Sequence, residues 1–289
     1  RCAMLSNKVS EIMTTELVKA PVTATVFSVM ETMVVNDVGR IIITDDEVPV
    51  GIFTEKDVLK RVVGAQIDAN LANIKTVMTA PVRAVRDETL IVDAFARMYR
   101  GRYRHLLVRG RRGKIVGIVS MRRILNIAVE LGQGISETRT IGDIATAPVV
   151  TVDESATVHA AVNLLNQQSL TAVVVTAAGK PAGIFTERDV LKRVATVEMD
   201  QDKTPVKQVM TAPLVSMARK ALVRDVLAEM SRRDIRNMPV TDEANQLVGL
   251  IAMPGILQYA QAFNIDEQVR RSWQEVAKAL DNDDQYTPG

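Results

Sequence analysis

The sequence has little of several features that would point to particular classes of protein. Its 289 residues include a single cysteine, Cys2, so no internal disulfide can form and the framework of a small secreted protein is excluded. Only 5 Phe, 4 Tyr and 1 Trp are present, so the core has to come from aliphatic side chains and Met. The 36 basic and 34 acidic residues nearly cancel, which gives no general indication of binding to nucleic acid or membrane.

Long apolar runs are also missing. No stretch reaches the roughly 18 residues needed to cross a membrane, and Arg1–Asn7 lacks the apolar core of a signal peptide. We therefore expect a cytoplasmic protein that does not bind a membrane. The hydrophobic fraction of 47% still provides for a substantial core, and the length predicts about two domains.

An internal duplication is the strongest feature that the sequence does contain. Gly51–Val62 reads GIFTEKDVLKRV and Gly183–Val194 reads GIFTERDVLKRV, so 11 of 12 positions are identical at an offset of 132 residues. The same offset relates the VMTAP segments at 77–81 and 209–213 without a gap. The Met13-Thr14 pair recurs as Met78-Thr79 after 65 residues. The chain is therefore predicted to contain four units of about 65 residues.

Each unit shows the same order of local signals: a short apolar strand, a helix, two strands and a second helix. In the third unit Thr157 is placed to cap the first helix, whose apolar side carries Val158, Ala161, Val162 and Leu165. The strands after these helices are β-branched or apolar, as expected of buried strands; they span 40–44, 105–108, 172–176 and 238–241. The pattern predicts an α/β fold made of four β-α-β-β-α repeats.

These motifs resemble the cystathionine β-synthase (CBS) domain family. The resemblance rests on the Met-Thr openings, on Met238-Pro239-Val240 and on the Gly-x-x-Thr-x-x-Asp pattern of Gly51, Thr54 and Asp57. It implies two modules, each a pair of repeats whose clefts bind adenine nucleotides, as in the four-repeat regulatory subunit of AMP-activated protein kinase. The expected modules are 9–131 (repeats 9–64 and 75–131) and 141–263 (repeats 141–196 and 207–263). Residues 264–289 are expected to form an amphipathic helix and a tail.

Two interpretations of the Thr-x-x-Asp motif are compatible with each other. Thr54 with Asp57, and Thr186 with Asp189, fit a capping box, which stabilises a helix by roughly 1 kcal/mol without any ligand. A nucleotide at the same helix end also fits. The hydroxyl and the free N–H groups suit phosphate, and an ionised aspartate, which only accepts hydrogen bonds, suits ribose hydroxyls. A capping function alone would tolerate other residues, so the near-identity of the two segments indicates a further role. The second and fourth units have Arg123 and Gly255 in place of the acid, so we expect two competent sites and two degenerate ones.

Basic residues at particular positions are candidates for binding phosphate. Arg40, Arg104 with His105, and Arg236 stand at the start of buried strands, where the family resemblance implies phosphate contacts. Lys56 and Arg188 lie inside the two Thr-x-x-Asp motifs and complete the set of candidate nucleotide-binding residues. The segment Arg97–Lys114 carries eight basic residues without an acid. A solvated basic face is the alternative interpretation of that segment.

We find no pattern that indicates catalysis. His105 and His159 are the only histidines, and they form no recognised metal-ligand spacing or catalytic triad with other residues. We therefore expect a regulatory sensor without a catalytic cofactor, which binds ATP, ADP or AMP and whose conformational change is read by a partner protein. A binder of nucleic acid or another polyanion through Arg97–Lys114 ranks lower because aromatic residues for base stacking are sparse. A purely structural scaffold also remains open. Four repeats either close a disc within one chain or pair with a second chain in a homodimer.

Overall fold

The computed structural model of the protein describes residues 8–101, 103–130, 140–143, 149–244 and 246–252. Each unit contains a sheet of three strands, in which the first pair is parallel and the second pair antiparallel. The elements of the first unit are β1 (Lys19–Pro21), α1 (Val26–Val35), β2 (Arg40–Asp45), β3 (Val48–Thr54) and α2 (Glu55–Asp57, continued by a π-helical stretch, Val58–Val63). Those of the second unit are β4 (Ala84–Arg86), α3 (Ile91–Arg100), β5 (His105–Arg109), β6 (Ile115–Ser120) and α4 (Met121–Glu130).

The second half repeats this order. The third unit has β7 (Thr151–Asp153), α5 (Val158–Gln167), β8 (Ala172–Ala177), β9 (Lys180–Thr186) and α6 (Glu187–Asp189, continued by a π-helical stretch, Val190–Ala195). The fourth has β10 (Met217–Ala218), α7 (Val223–Arg232), β11 (Asn237–Thr241) and β12 (Leu247–Ala252). The predicted α/β fold and the four buried strands are confirmed. The predicted C-terminal helix and tail at 264–289 lie outside the described residues, as does the polar segment that the sequence predicts to connect the two modules, Gly132–Thr140, except for Thr140.

The local structure follows from the sequence signals. The hydroxyl of Thr157 accepts a hydrogen bond from the Ala160 amide and caps α5, as predicted, and Thr25 caps α1 in the same way. Strands β2 and β8 place runs of Ile and Val in the interior, with almost no solvent exposure from 41 to 43 and from 173 to 175. These strands are the centre of their sheets and are covered on both faces.

Neighbouring units exchange short segments. Thr14, before β1 of the first unit, pairs with Ile118 in β6. Thr79, before β4 of the second unit, pairs with Ile52 in β3. Thr211 pairs with Ile184 in the second half in the same manner. A glycine makes each close approach feasible: a Cβ on Gly51 would lie 2.3 Å from the sulfur of Met78. The Met-Thr segment of one unit is thus built into the sheet of its neighbour.

The cores lie between units that are distant in the sequence. One large cluster joins buried side chains of the first and third units, such as Met30, Phe53, Leu165 and Phe185. A second large cluster joins the second and fourth units, and a small one joins the facing sheets of the first and second units. Together with the Thr211–Ile184 pairing between the third and fourth units, these contacts close the four units into a ring.

Candidate ligand-binding site

The predicted capping boxes are present at the starts of α2 and α6. The backbone N–H and the hydroxyl of Thr54 donate to Oδ2 of Asp57 at 2.9 and 2.7 Å. The Asp57 amide in turn donates to the Thr54 hydroxyl at 3.4 Å. Thr186 and Asp189 repeat these contacts at 2.9, 2.7 and 3.3 Å. The capping interpretation of both motifs is therefore confirmed.

The other oxygen of each aspartate contacts the segment that leads into the next unit. Thr79 donates to Oδ1 of Asp57 at 3.0 Å, and Nη1 of Arg61 lies 3.4 Å from the same oxygen. Arg61 also donates to the carbonyls of Val77 and Met78. We call Thr54, Asp57, Arg61 and Thr79 the first Thr–Asp box. The second Thr–Asp box is formed by Thr186, Asp189, Arg193 and Thr211.

Sequence reasoning missed Thr79 and Arg61, and their counterparts Thr211 and Arg193. The signal was available, because both pairs lie inside the stretches that are nearly identical between the two halves. In the second unit Ser120 caps α4 through the Arg123 amide at 3.1 Å. Arg123 itself, which replaces the acid, is exposed. No equivalent box is formed there.

Two buried ion pairs join the two halves of the chain across the ring. Arg104 of the second unit donates to both oxygens of Glu187 in the third unit, at 2.8 and 3.2 Å. Arg236 of the fourth unit forms the corresponding pair with Glu55 of the first. Glu55 and Glu187 are only 2% and 5% exposed, and a buried carboxylate requires such a partner. Glu55 and Glu187 were part of the motifs identified in the sequence, but their ionic partners could not be read there.

Lys56 and Arg188 occupy equivalent positions but have different surroundings. Arg188 donates to Asp234 at 2.7 Å and to Asp37 at 3.2 Å. Lys56 is exposed over much of its surface but is partly buried by its neighbours. This partial burial, together with the positive charge of Arg104, lowers the pKa of its ammonium group. Arg122 joins the same network through Asp234. The candidates from both motifs therefore reach the middle of the ring.

Arg40 and His105 lie in this region without a carboxylate partner. Arg40 faces Thr54 across β2 and β3 and is half-buried. It forms no ion pair among the residues that the structure describes. Burial, and then the charges of Arg122 and Arg236, lower the pKa of Arg40 to about 10. Burial, and then Arg40 and Arg104, hold the pKa of His105 well below its usual range, so its imidazole is neutral.

We call these groups the central charged cluster. Its cations are Arg40, Lys56, Arg104, Arg122, Arg188 and Arg236, and its carboxylates are Asp37, Glu55, Glu187 and Asp234. The structure thus brings the predicted Arg40, Lys56, Arg104, His105, Arg188 and Arg236 into one region beside the two boxes. The remaining basic side chains described in the segment Arg97–Lys114 are exposed on the outside of the second unit.

The described part of the chain contains neither a candidate metal site nor a candidate membrane span. No three His, Cys, Asp or Glu side chains there lie close enough together to hold a metal ion. No helix among the same residues has the length and apolar character required to cross a bilayer.

Comparison with known proteins agrees with the repeats. The family model described as CBS domain matches residues 9–64, 74–130, 141–196 and 206–261. The CBS domain-containing protein CBSCBSPB1 of Arabidopsis thaliana is 25% identical over an alignment of 269 residues that covers 80% of this chain and 49% of the plant protein. The chain therefore spans about half the length of that relative. YhcV of Bacillus subtilis, also a CBS domain-containing protein, is 33% identical over 113 residues, 39% of this chain and 79% of YhcV.

Two solved structures share the whole arrangement. Protein MJ1225 of Methanocaldococcus jannaschii, proposed as an archaeal homologue of g-AMPK, superposes with a TM-score of 0.74 at 17% identity and covers 87% of this chain and 99% of its own. An uncharacterised conserved protein of Pyrococcus horikoshii gives a TM-score of 0.60 at 22% identity, over 88% of this chain and 99% of its own. At these identities the likeness concerns the fold.

Proposed function

The chain belongs to the CBS domain family, and on that basis we propose that it is a non-catalytic regulatory protein that binds an adenosine-containing ligand. ATP, ADP and AMP are the candidates. The observation that carries the proposal is the surplus of cations over carboxylates in the central charged cluster, directly beside two Thr–Asp boxes. A ligand with a ribose diol at one end and phosphate at the other matches both features.

The phosphate end is matched by the arginines. Guanidinium groups bind phosphate oxygens through pairs of charge-assisted hydrogen bonds. Arg104 and Arg236 are engaged with Glu187 and Glu55, so their availability to phosphate depends on these contacts. Arg40 has no such partner among the described residues and is half-buried beside Arg122 and Arg236. An anion at Arg40 would relieve the repulsion among these like charges.

The ribose end is matched by the aspartate of a box, and it provides a way to signal. Both oxygens of Asp57 are engaged, Oδ2 by Thr54 and Oδ1 by Thr79 and Arg61. A ribose hydroxyl that donates to Oδ1 has to replace one of these two contacts. Because Thr79 and Arg61 hold the segment between two units, binding would loosen that segment. A ligand shifts the arrangement of the units only through such differential contacts, and a partner protein would read the shift.

A thermal-unfolding series separates this proposal from its rivals. The protein is heated with ATP, ADP, AMP, adenosine, inorganic pyrophosphate or a single-stranded oligonucleotide, each at low and high salt. The proposal predicts stabilisation by adenosine ligands, about 2.7 kcal/mol at 100 times the dissociation constant. A polyanion binder would respond to the oligonucleotide and lose that response steeply with salt. A scaffold would show no shift with any of these compounds.

A further inference from the structure

The 132-residue duplication places equivalent elements at two corners of the ring. The first corner consists of Gly39, Arg40 and His105, and the second of Thr171, Ala172 and Asn237. Their backbones are arranged alike: the amide of Glu55 donates to the Gly39 carbonyl at 3.1 Å, and the amide of Glu187 donates to the Thr171 carbonyl at 3.3 Å. In both corners the second residue faces the threonine of a box, Arg40 facing Thr54 and Ala172 facing Thr186.

The second corner is neutral and already satisfied. The hydroxyl of Thr171 donates to Oδ1 of Asn237 at 2.9 Å, and both Ala172 and Asn237 are buried. Two cations of the first half have no equivalent in the second half. Ala172 stands in the position of Arg40, and Pro254 stands in the position of Arg122 and lies outside the described residues. Lys56, which acts electrostatically on Glu187, is an exposed residue without an ion pair among those described, and partial burial lowers the pKa of its ammonium group. Arg104, the guanidinium at this corner, is already paired with Glu187, so a phosphate here would lose its hydration without meeting an unpaired guanidinium group.

The first corner has the opposite character. Gly39 carries no hydroxyl to satisfy a neighbour, and a Cβ there would lie 2.8 Å from the Glu55 carboxylate and 3.0 Å from the Arg236 guanidinium, so a side chain would displace the ends of these two side chains. His105 occupies the position that is equivalent to Asn237 in the duplication, and its imidazole is neutral among the neighbouring arginines. Arg40 is half-buried with no ion pair in the described part of the chain. Glu55, the carboxylate near Arg40, is already paired with Arg236, so no ion pair within the described residues neutralises the guanidinium of Arg40.

We infer that the two boxes accept ligands of different charge. The first box, beside Arg40, takes a phosphorylated adenosine ligand. The second box, beside Ala172 and the Thr171–Asn237 hydrogen bond, takes an adenosine ligand without phosphate. This inference rests on the proposed function and specifies the ligand class of each of its two sites. It follows from the replacement of two cations, Arg40 and Arg122, by Ala172 and Pro254 in the second half of a duplicated sequence.

The test is a titration of the whole protein with AMP and with adenosine, measured by calorimetry. In the wild type one site is expected to bind AMP at least tenfold more tightly than adenosine. Arg40→Ala introduces the residue that the third unit has naturally, and it touches no contact of either box. We expect this variant to lose the preference, because its affinity for AMP should fall at least tenfold while its affinity for adenosine stays within twofold of the wild type. Arg40→Lys keeps the charge but not the paired donors, so its affinity for AMP should lie between those of the wild type and of Arg40→Ala.

Two controls complete the design. Arg112→Ala removes one exposed positive charge from the β5–β6 turn and should leave both affinities unchanged. Asp189→Ala disables the second box and should retain the AMP-selective site; if this variant does not fold, the Arg40 variants decide the matter without it. An unchanged ratio of AMP to adenosine affinity in Arg40→Ala would overturn the inference while leaving the proposed function standing. A wild type that binds neither compound would contradict both.

Discussion

The hydroxyl of Thr79 donates a hydrogen bond to Oδ1 of Asp57 at 3.0 Å, although the two residues belong to different repeats. Thr211 and Asp189 form the same contact at 2.7 Å. One buried carboxylate therefore caps a helix through one oxygen and holds the segment between two repeats through the other. This double engagement gives a structural reason for the near-identity of the GIFTEKDVLKRV and GIFTERDVLKRV segments, beyond what a simple cap would need.

Replacing Thr79 by Val should separate the two roles of Asp57. The loss of the hydroxyl leaves Oδ1 with Arg61 alone, and we expect the free energy of unfolding to fall by about 1–2 kcal/mol. Under the proposed function the ribose hydroxyl no longer competes with Thr79, so ligand affinity should rise. Urea unfolding and calorimetry measure the two effects. The exposed Thr23→Val variant serves as control, and a weaker-binding Thr79→Val would count against the proposed competition.

The ion pair between Arg104 and Glu187 should contribute strongly to stability. In Glu187→Gln the half-buried guanidinium loses its buried carboxylate partner, and unfolding should become easier by about 2–3 kcal/mol. The surface pair Lys19–Glu47 is the matched comparison, because its side chains are 40% and 82% exposed. Glu47→Gln should cost no more than about 0.5 kcal/mol. Equal effects in the two variants, measured by urea unfolding, would contradict the central position assigned to Glu187.

Stability should depend on pH through His105. Its pKa in the folded protein is lowered, so between that pKa and the unfolded value of about 6.5 the unfolded chain binds more protons. The free energy of unfolding should therefore fall as the pH drops below about 6.5, by at most ~1.4 kcal/mol per pH unit for one proton. His105→Asn, which copies Asn237 of the fourth unit, should remove this slope. Unfolding curves between pH 5.5 and 8 test it, and a slope retained in the variant would assign the effect elsewhere.

The close contact at Gly183 should not tolerate a side chain. A Cβ there would lie 2.5 Å from the sulfur of Met210 and 2.9 Å from the carbonyl oxygen of Thr211. Gly183→Ala should destabilise the protein by about 1–3 kcal/mol, as overpacking does. Adding Met210→Ala should relieve only part of this, because the carbonyl belongs to the backbone. If the double variant regained the full free energy of unfolding, the Met210 side chain alone would limit the space at Gly183, and the backbone carbonyl would play no part.

Local structure could be predicted from the sequence because its signals are local. The buried strands at 40–44 and 172–176 and the caps at Thr54, Thr157 and Thr186 follow from patterns within a dozen residues, and the repeats follow from matching such short segments along the chain. The ionic partners could not be predicted. Glu55 and Arg236 are 181 residues apart, and nothing in the periodicity of either segment indicates that they meet.

The same limit applies to the character of the central region. Arg40 was a candidate because of its place at the start of a strand, but its lack of an ion pair depends on how four units pack together, since the nearby Glu55 pairs with Arg236 instead. The packing of the first unit on the third, and of the second on the fourth, likewise joins side chains that are far apart in the sequence. Their closure into a ring became visible only in three dimensions.

Calorimetric titration of ATP, ADP and AMP into the wild type and into a doubled Asp57→Ala, Asp189→Ala variant tests the central claim most directly. Asp45→Ala is the matched control, because Asp45 is exposed and its counterpart in the third unit is already Ala177. Thermal unfolding establishes that each variant is folded. We predict saturable binding to the wild type and to the control, and its loss in the doubled variant. Binding of equal strength in the doubled variant, or no binding to the wild type, would contradict the account.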